Sequence, residues 1–163
     1  MRYLLDADTL IDAKNRYYDF DVCPGFWDWI DQQFAAGVVR SVEAIGNELA
    51  ACADRLAAWA KARPGFFLPP DERTIVSLQQ VAGWANTSGF RRAGIAEFVE
   101  GGDIYLIEQA HASGDIFVTR EVVSQGVKSI KIPVACAALG VRRMSPFDML
   151  KIEHATFVLG TRP

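Results

Sequence analysis

Two segments of this chain are short, wholly apolar and closed by polar residues, and they constrain the fold more than any other feature. Tyr3-Leu4-Leu5 runs directly into Asp6, and Ile116-Phe117-Val118 runs into Thr119-Arg120-Glu121. A strand with one wet face alternates apolar and polar residues, whereas a strand covered on both faces is continuously apolar. Such strands belong to parallel sheets with helices packed on each side. One core of that kind needs a long enough apolar chain, and 163 residues, 50% of them hydrophobic, provide it. The expectation is one α/β domain over residues 1–163, a three-layer α/β/α sandwich with a mostly parallel sheet.

The pattern between these strands predicts the other elements. Helical segments are expected over 9–17, 26–36 and 42–62, then after Asp71 through 86, in a short piece before Gly101-Gly102, and over 103–112 and 134–139. The 42–62 segment carries Val42, Ile45, Leu49, Cys52, Leu56 and Trp59 on one stripe. In the helix after Asp71, Ile75, Leu78 and Ala82 form the apolar side and Trp84 points away from it. Glu108 and Gln109 are expected on the polar back of the 103–112 helix. Further strands are expected at 38–41, 66–68 and 141–144, with a weaker one at Lys131-Ile132.

Composition excludes several classes. No run of about eighteen uncharged apolar residues is present, so no membrane span is expected. The opening Met1-Arg2-Tyr3-Leu4-Leu5-Asp6 meets an acid too early for a secretory signal. Three dispersed cysteines, Cys23, Cys52 and Cys136, read as reduced, mostly buried thiols of a cytoplasmic protein. A net charge of −3 argues against nucleic acid, unless several of the acids are there to hold a cation.

The acids then become the informative residues. In parallel sheets, ligands bind outside the carboxyl ends of the strands, which is where Asp6 and Glu121 fall. Glu48 lies beside Ile45 and Cys52 at the margin of its helix's apolar stripe, while Glu43 faces the opposite way. Asp103 shares a face with Ile107 and Ala110, although taken alone capping after Gly101-Gly102 is the simpler role for it. Carboxylates turned inward are costly unless a cation neutralises them.

These residues, in this order, resemble the PIN-domain nucleases. Leu4-Leu5-Asp6-Ala7-Asp8-Thr9-Leu10-Ile11 is similar to that family's opening strand and first acid. Asn47-Glu48-Leu49 resembles the second-acid helix, Gly102-Asp103-Ile104-Tyr105-Leu106-Ile107 the third, and Ile116-Phe117-Val118-Thr119-Arg120-Glu121 the strand ending in Thr-Asn-Asp. The tail from Lys131-Ile132-Pro133 through Ser145-Pro146-Phe147 looks like the branch related to VapC-type toxins. Two positions depart from the pattern: Asp8 stands where Asn, Ser or Thr is usual, and Arg120-Glu121 replaces Asn-Asp. The resemblance implies a Mg²⁺- or Mn²⁺-dependent endoribonuclease. Asp6 and Asp103 would be its main metal ligands, with Glu48 and Glu121 completing the shell and Thr119 and Asp8 in support. It also implies an RNA substrate and a neutralising antitoxin protein that masks the acidic pocket with an Arg or Lys.

Other readings remain open on the sequence. Asp6-Ala7-Asp8-Thr9-Leu10 comes close to the opening of haloacid-dehalogenase-type phosphatases, with Asp6 as nucleophile, Asp8 as acid/base and Ser41 after a second strand; a suitable Lys is missing. Glu108-x-x-His111 is half of a di-iron spacing without its second half. No P-loop, dinucleotide fingerprint or nucleophile elbow occurs. A PIN-like module that only binds nucleic acid or protein is the third alternative. Trp84 and a partly outward Trp29 are the candidate anchors for a partner or a homodimer, and Arg91, Arg92, Lys128, Lys131, Arg142 and Arg143 are candidate phosphate contacts.

Overall fold

The computed structural model describes residues 1–123 and 126–160. Within them, strands β1 (Tyr3–Leu5), β2 (Val39–Val42), β3 (Phe67–Leu68), β4 (Ile116–Val118) and β5 (Arg143–Met144) form one sheet in the order β3-β2-β1-β4-β5. Every pairing is parallel, with Tyr3 opposite both Val39 and Ile116. Each residue of β1 and β4 is 2% exposed or less, so both sheet faces are covered, as their unbroken apolar runs require. The chain is a three-layer α/β/α sandwich.

The helices are α1 (Ala7–Asp12), which runs on into a π-helical turn Ala13–Tyr17, then α2 (Pro24–Ala35), α3 (Glu43–Ala50), α4 (Arg55–Lys61) and α5 (Glu72–Thr87). They are followed by α6 (Arg92–Glu100), α7 (Asp103–Ser113), α8 (Ile132–Leu139) and α9 (Pro146–Ile152). From β1 the chain winds outward to β2 and β3, then returns past β1 to add β4 and β5 on the other side. Right-handed crossovers accordingly set α2 and α4 against one face and α7 and α8 against the other. The first layer is welded by aromatics: Trp27 stacks on Phe20 and meets Phe26 and Trp59 edge-on, and Trp59 meets Phe66. Reversal of the winding direction between β1 and β4 opens a crevice at their carboxyl ends.

Several expectations need correction. The helix expected over 42–62 is two helices. Asp54 accepts the Ala57 N–H at 2.9 Å as the N-cap of α4, and a new helix starts there although the apolar stripe continues. Lys131-Ile132 is no strand: Ile132 opens α8, with Pro133 in its first turn. In α5 the buried positions are Thr74, Ser77, Val81 and Ala85, and Ile75 is 52% exposed. Glu108 and Gln109 are buried: α7 packs against α5, α6, α8 and the sheet, and both residues line a cavity with Val42, Ala44, Leu68 and Pro70. Trp29 is buried rather than outward, and Trp84 is half-buried, edge-on to Phe98. Cys52 is exposed, while Cys136 is buried and its thiol is pushed up to about 12 by that burial. Helix α9 was not anticipated, although Ser145-Pro146 with Asp148 is a sound start signal: Ser145 Oγ accepts the Asp148 N–H at 3.1 Å. Among the described residues, no helix is long and apolar enough to cross a membrane.

Candidate active site

The crevice at the carboxyl ends of β1 and β4 is a cavity of about 390 Å³. Asp6, Asp8, Glu48, Asp103, Thr119 and Glu121 all line it, as do Asp12, Arg16 and Arg120. Four separate elements bring the four principal acids to one place. Asp6 follows β1, Glu48 stands on α3, Asp103 opens α7, and Glu121 follows β4.

Asp6 has two roles at once. Its carboxylate accepts the Thr9 N–H at 2.7 Å as the N-cap of α1, which fixes its orientation. It is also 4% exposed, and this burial pushes its pKa up. Asp103 is not the cap of α7. Gly102 occupies that position without a side-chain bond, leaving the half-buried Asp103 carboxyl free to face the cavity. Burial first, then repulsion from Asp6, Glu121, Glu48 and Asp8, lifts Asp103 to about 6. Glu48 is raised by burial and then by Asp8. A Cβ on Gly102 would lie 3.5 Å from Glu48 Oε2 and 3.4 Å from Ile45, so the α7 start and α3 approach closely at this point.

Glu121 is differently placed. Its Oε2 accepts the Ile132 N–H at 2.8 Å, and Oε1 lies 3.5 Å from Lys131 Nζ. The side chain thus pins the start of α8 to the cleft and has less freedom to hold anything else. The Thr119 hydroxyl, buried beneath it, accepts the Glu121 N–H at 3.1 Å. Asp8 is exposed at the mouth.

The sequence reading missed a cationic rim. Asp12 accepts from Arg120, whose guanidinium also lies 5.1 Å from the centre of the Tyr17 ring, and forms an ion pair with Arg16 at 3.1 Å. Arg16 and Arg120 line an otherwise acidic cleft, and the π-helical turn carries Arg16 there. The Asp12–Arg16 spacing of four residues was the available signal. Among the other basic candidates, Lys131 pairs with Glu121 and Arg142 donates to the Gly114 carbonyl. Ser41, which a phosphatase reading would use, is buried and donates to the Leu5 carbonyl at 2.7 Å.

No three His, Cys, Asp or Glu side chains among the described residues are already set as a metal-ligand group. The donor set nevertheless suits a hard cation. Mg²⁺ takes one or two carboxylates directly and keeps several waters, and a cation would relieve the repulsion that adds to burial in lifting Asp103.

Fold and cleft together define a parallel-sheet α/β domain with a carboxylate-lined crevice at its topological switch point. The profile of DUF4411, a domain of unknown function, matches residues 3–157, and the chain belongs to that family. No curated protein matches it.

Proposed function

We propose that the chain is a Mg²⁺- or Mn²⁺-dependent endoribonuclease of PIN-like type. The observation that carries this reading is the convergence of Asp6, Glu48, Asp103 and Glu121, from four separate elements, on one cleft at the β1–β4 switch point. Asp6 and Asp103 are the residues that would hold the ion. When bound, the ion supplies positive charge against a phosphate and makes water more acidic. Glu48, whose carboxyl is raised by burial and then by Asp8, would complete the ion's shell or orient water beside it and would serve there as a proton acceptor. Thr119 steadies the Glu121 backbone, and Glu121 holds the cleft wall through α8. Arg16 and Arg120 offer their guanidinium groups to phosphates at the rim, kept in place by Asp12. Unpaired RNA is the substrate class, since its backbone and bases are accessible.

The wild-type protein should cleave a mixed RNA pool in Mn²⁺. Asp6→Asn or Asp103→Asn should lower the rate by about a hundredfold or more, and Glu121→Gln by much less. Cleavage that persists in excess chelator would overturn the mechanism.

As a member of a toxin–antitoxin pair, such a nuclease would act in the cytoplasm and be held in check by an antitoxin protein. Expression in a heterologous host should then slow growth, and co-expression of the adjacent gene should restore it. Unimpaired growth at high levels of intact protein would remove the toxin role.

A further inference from the structure

A second cavity, of about 330 Å³, opens across the seam between α3 and α7 from the acidic cleft. Its walls include Val42, Ala44, Leu68 and Pro70, and its charged lining residues are Glu43 and Glu108, with no basic side chain among them. Glu108 is 3% exposed, and its Oε2 is buried without a hydrogen-bond partner. The absence of a partner is unusual, because nearly all buried polar atoms are paired and an unpaired carboxyl costs more than a neutral group. Burial alone lifts this carboxyl to about 7. The Glu108 backbone, by contrast, is well supported: its carbonyl accepts from Ser77 Oγ at 2.9 Å. The orphaned group is therefore the side chain and not the helix.

We propose that this cavity binds a guanidinium group, which pairs with Glu108. Three features of the site select that chemistry. An acid with no salt bridge among the described residues, in a cavity whose lining holds no basic residue, favours a cation and disfavours phosphate. Apolar walls favour a cation that is weakly hydrated and planar, which describes guanidinium better than ammonium. A planar head with several N–H donors can also approach the Glu108 carboxylate from the cavity while bonding the polar groups beside it. The amide side chains of Asn47 and Gln109 also line the cavity and can take further N–H groups. The guanidinium has two sources, a free small guanidine compound or an arginine side chain presented by a peptide.

The test uses the full chain and backbone-amide NMR at about pH 8, where the Glu108 carboxyl is ionised. Methylguanidine, methylammonium and paired short peptides with Arg or Lys at one position are titrated separately. Methylguanidine should shift the resonances of Val42, Ala44 and Leu68 saturably. Glu108→Gln keeps the shape of the side chain and should weaken binding about tenfold or more. The wild-type spectrum outside the cavity serves as the check that the variant is folded. Should that variant fail to fold, Ala44→Leu, which fills the cavity from the half-buried start of α3, should abolish the same shifts. A response to the Arg peptide far stronger than to methylguanidine identifies a protein partner; the reverse identifies a small molecule. No saturable shift, shifts confined to the acidic cleft, or equal response to methylammonium overturns the proposal. None of these outcomes depends on whether the protein cleaves RNA.

Discussion

At the residue scale, this protein stores its unusual chemistry in carboxyl groups held above their ordinary pKa. Glu108 gives the clearest test, since only burial raises it, from 4.5 to about 7. Below pH 4.5 the folded and unfolded chains both hold this proton. Between 4.5 and 7 the unfolded chain loses it and the folded chain keeps it, so folding stability falls as pH rises through this window and levels off above it. Glu108→Gln lacks the penalty. The stability difference between Glu108→Gln and wild type should therefore grow in favour of the variant by about 1–3 kcal/mol between roughly pH 5 and 8. Denaturant titrations at both pH values would measure this, and a pH-independent difference would mean that the carboxyl has found a partner. Asp6 was legible as a candidate from its place after an apolar strand, and Asp103 from the apolar face of its helix. Glu108 was not, because it was read as part of a wet helix face.

At the element scale, caps and close approaches decide where helices begin and what they carry. Asp54 starts α4 by accepting the Ala57 N–H and also pairs with Lys14 at 2.5 Å. Asp54→Ala should cost about 1 kcal/mol, chiefly from the lost cap, and leave the cleft unaffected. Gly94 in α6 has a larger consequence. A Cβ there would lie 2.3 Å from the Lys128 carbonyl oxygen, a backbone atom that cannot step aside cheaply. Gly94→Ala should push the 127–129 segment away from α6 and cost about 1–3 kcal/mol by overpacking. Because Lys131 and Ile132 follow directly and both contact Glu121, this variant should also disturb the cleft wall. Thermal melts together with amide shifts at Glu121 and Ile132 would separate the two variants. Equal, purely local effects would show that α6 has no hold on the site.

At the scale of the whole molecule, the sheet order gathers acids that lie far apart in the chain, and their repulsion is a cost borne by the folded state. A divalent cation that binds only this arrangement should raise the melting temperature, adding stability that grows with the logarithm of its concentration over the dissociation constant, about 3 kcal/mol at a hundredfold excess. Asp6→Asn should lose most of that gain. It should not lower stability without the ion, since Asn caps a helix nearly as well as Asp and the buried charge is gone. Scanning calorimetry with and without Mn²⁺ reads both effects. Equal melting of the wild-type protein in the two conditions would remove the basis for metal-dependent catalysis.

Sequence by itself determined the layered architecture, because unbroken apolar strands such as Ile116-Phe117-Val118 are stable only when covered on both faces. It also determined that Asp6 stands at a strand's carboxyl end, and it marked Asp103 and Glu48 by their helical angle beside apolar neighbours. Tertiary structure decided the rest. Periodicity reports which face of a helix is apolar, but not how much of the polar face a neighbour covers. Ile75 therefore lies exposed, while Glu108 and Gln109 are buried toward β2, β3 and α3. Nor does periodicity register a cap, so Asp54 could divide one apolar stripe between two helices. Glu121 was identified by position, yet its bond to the Ile132 N–H depends on where α8 docks, a contact set by long-range packing that no local pattern encodes.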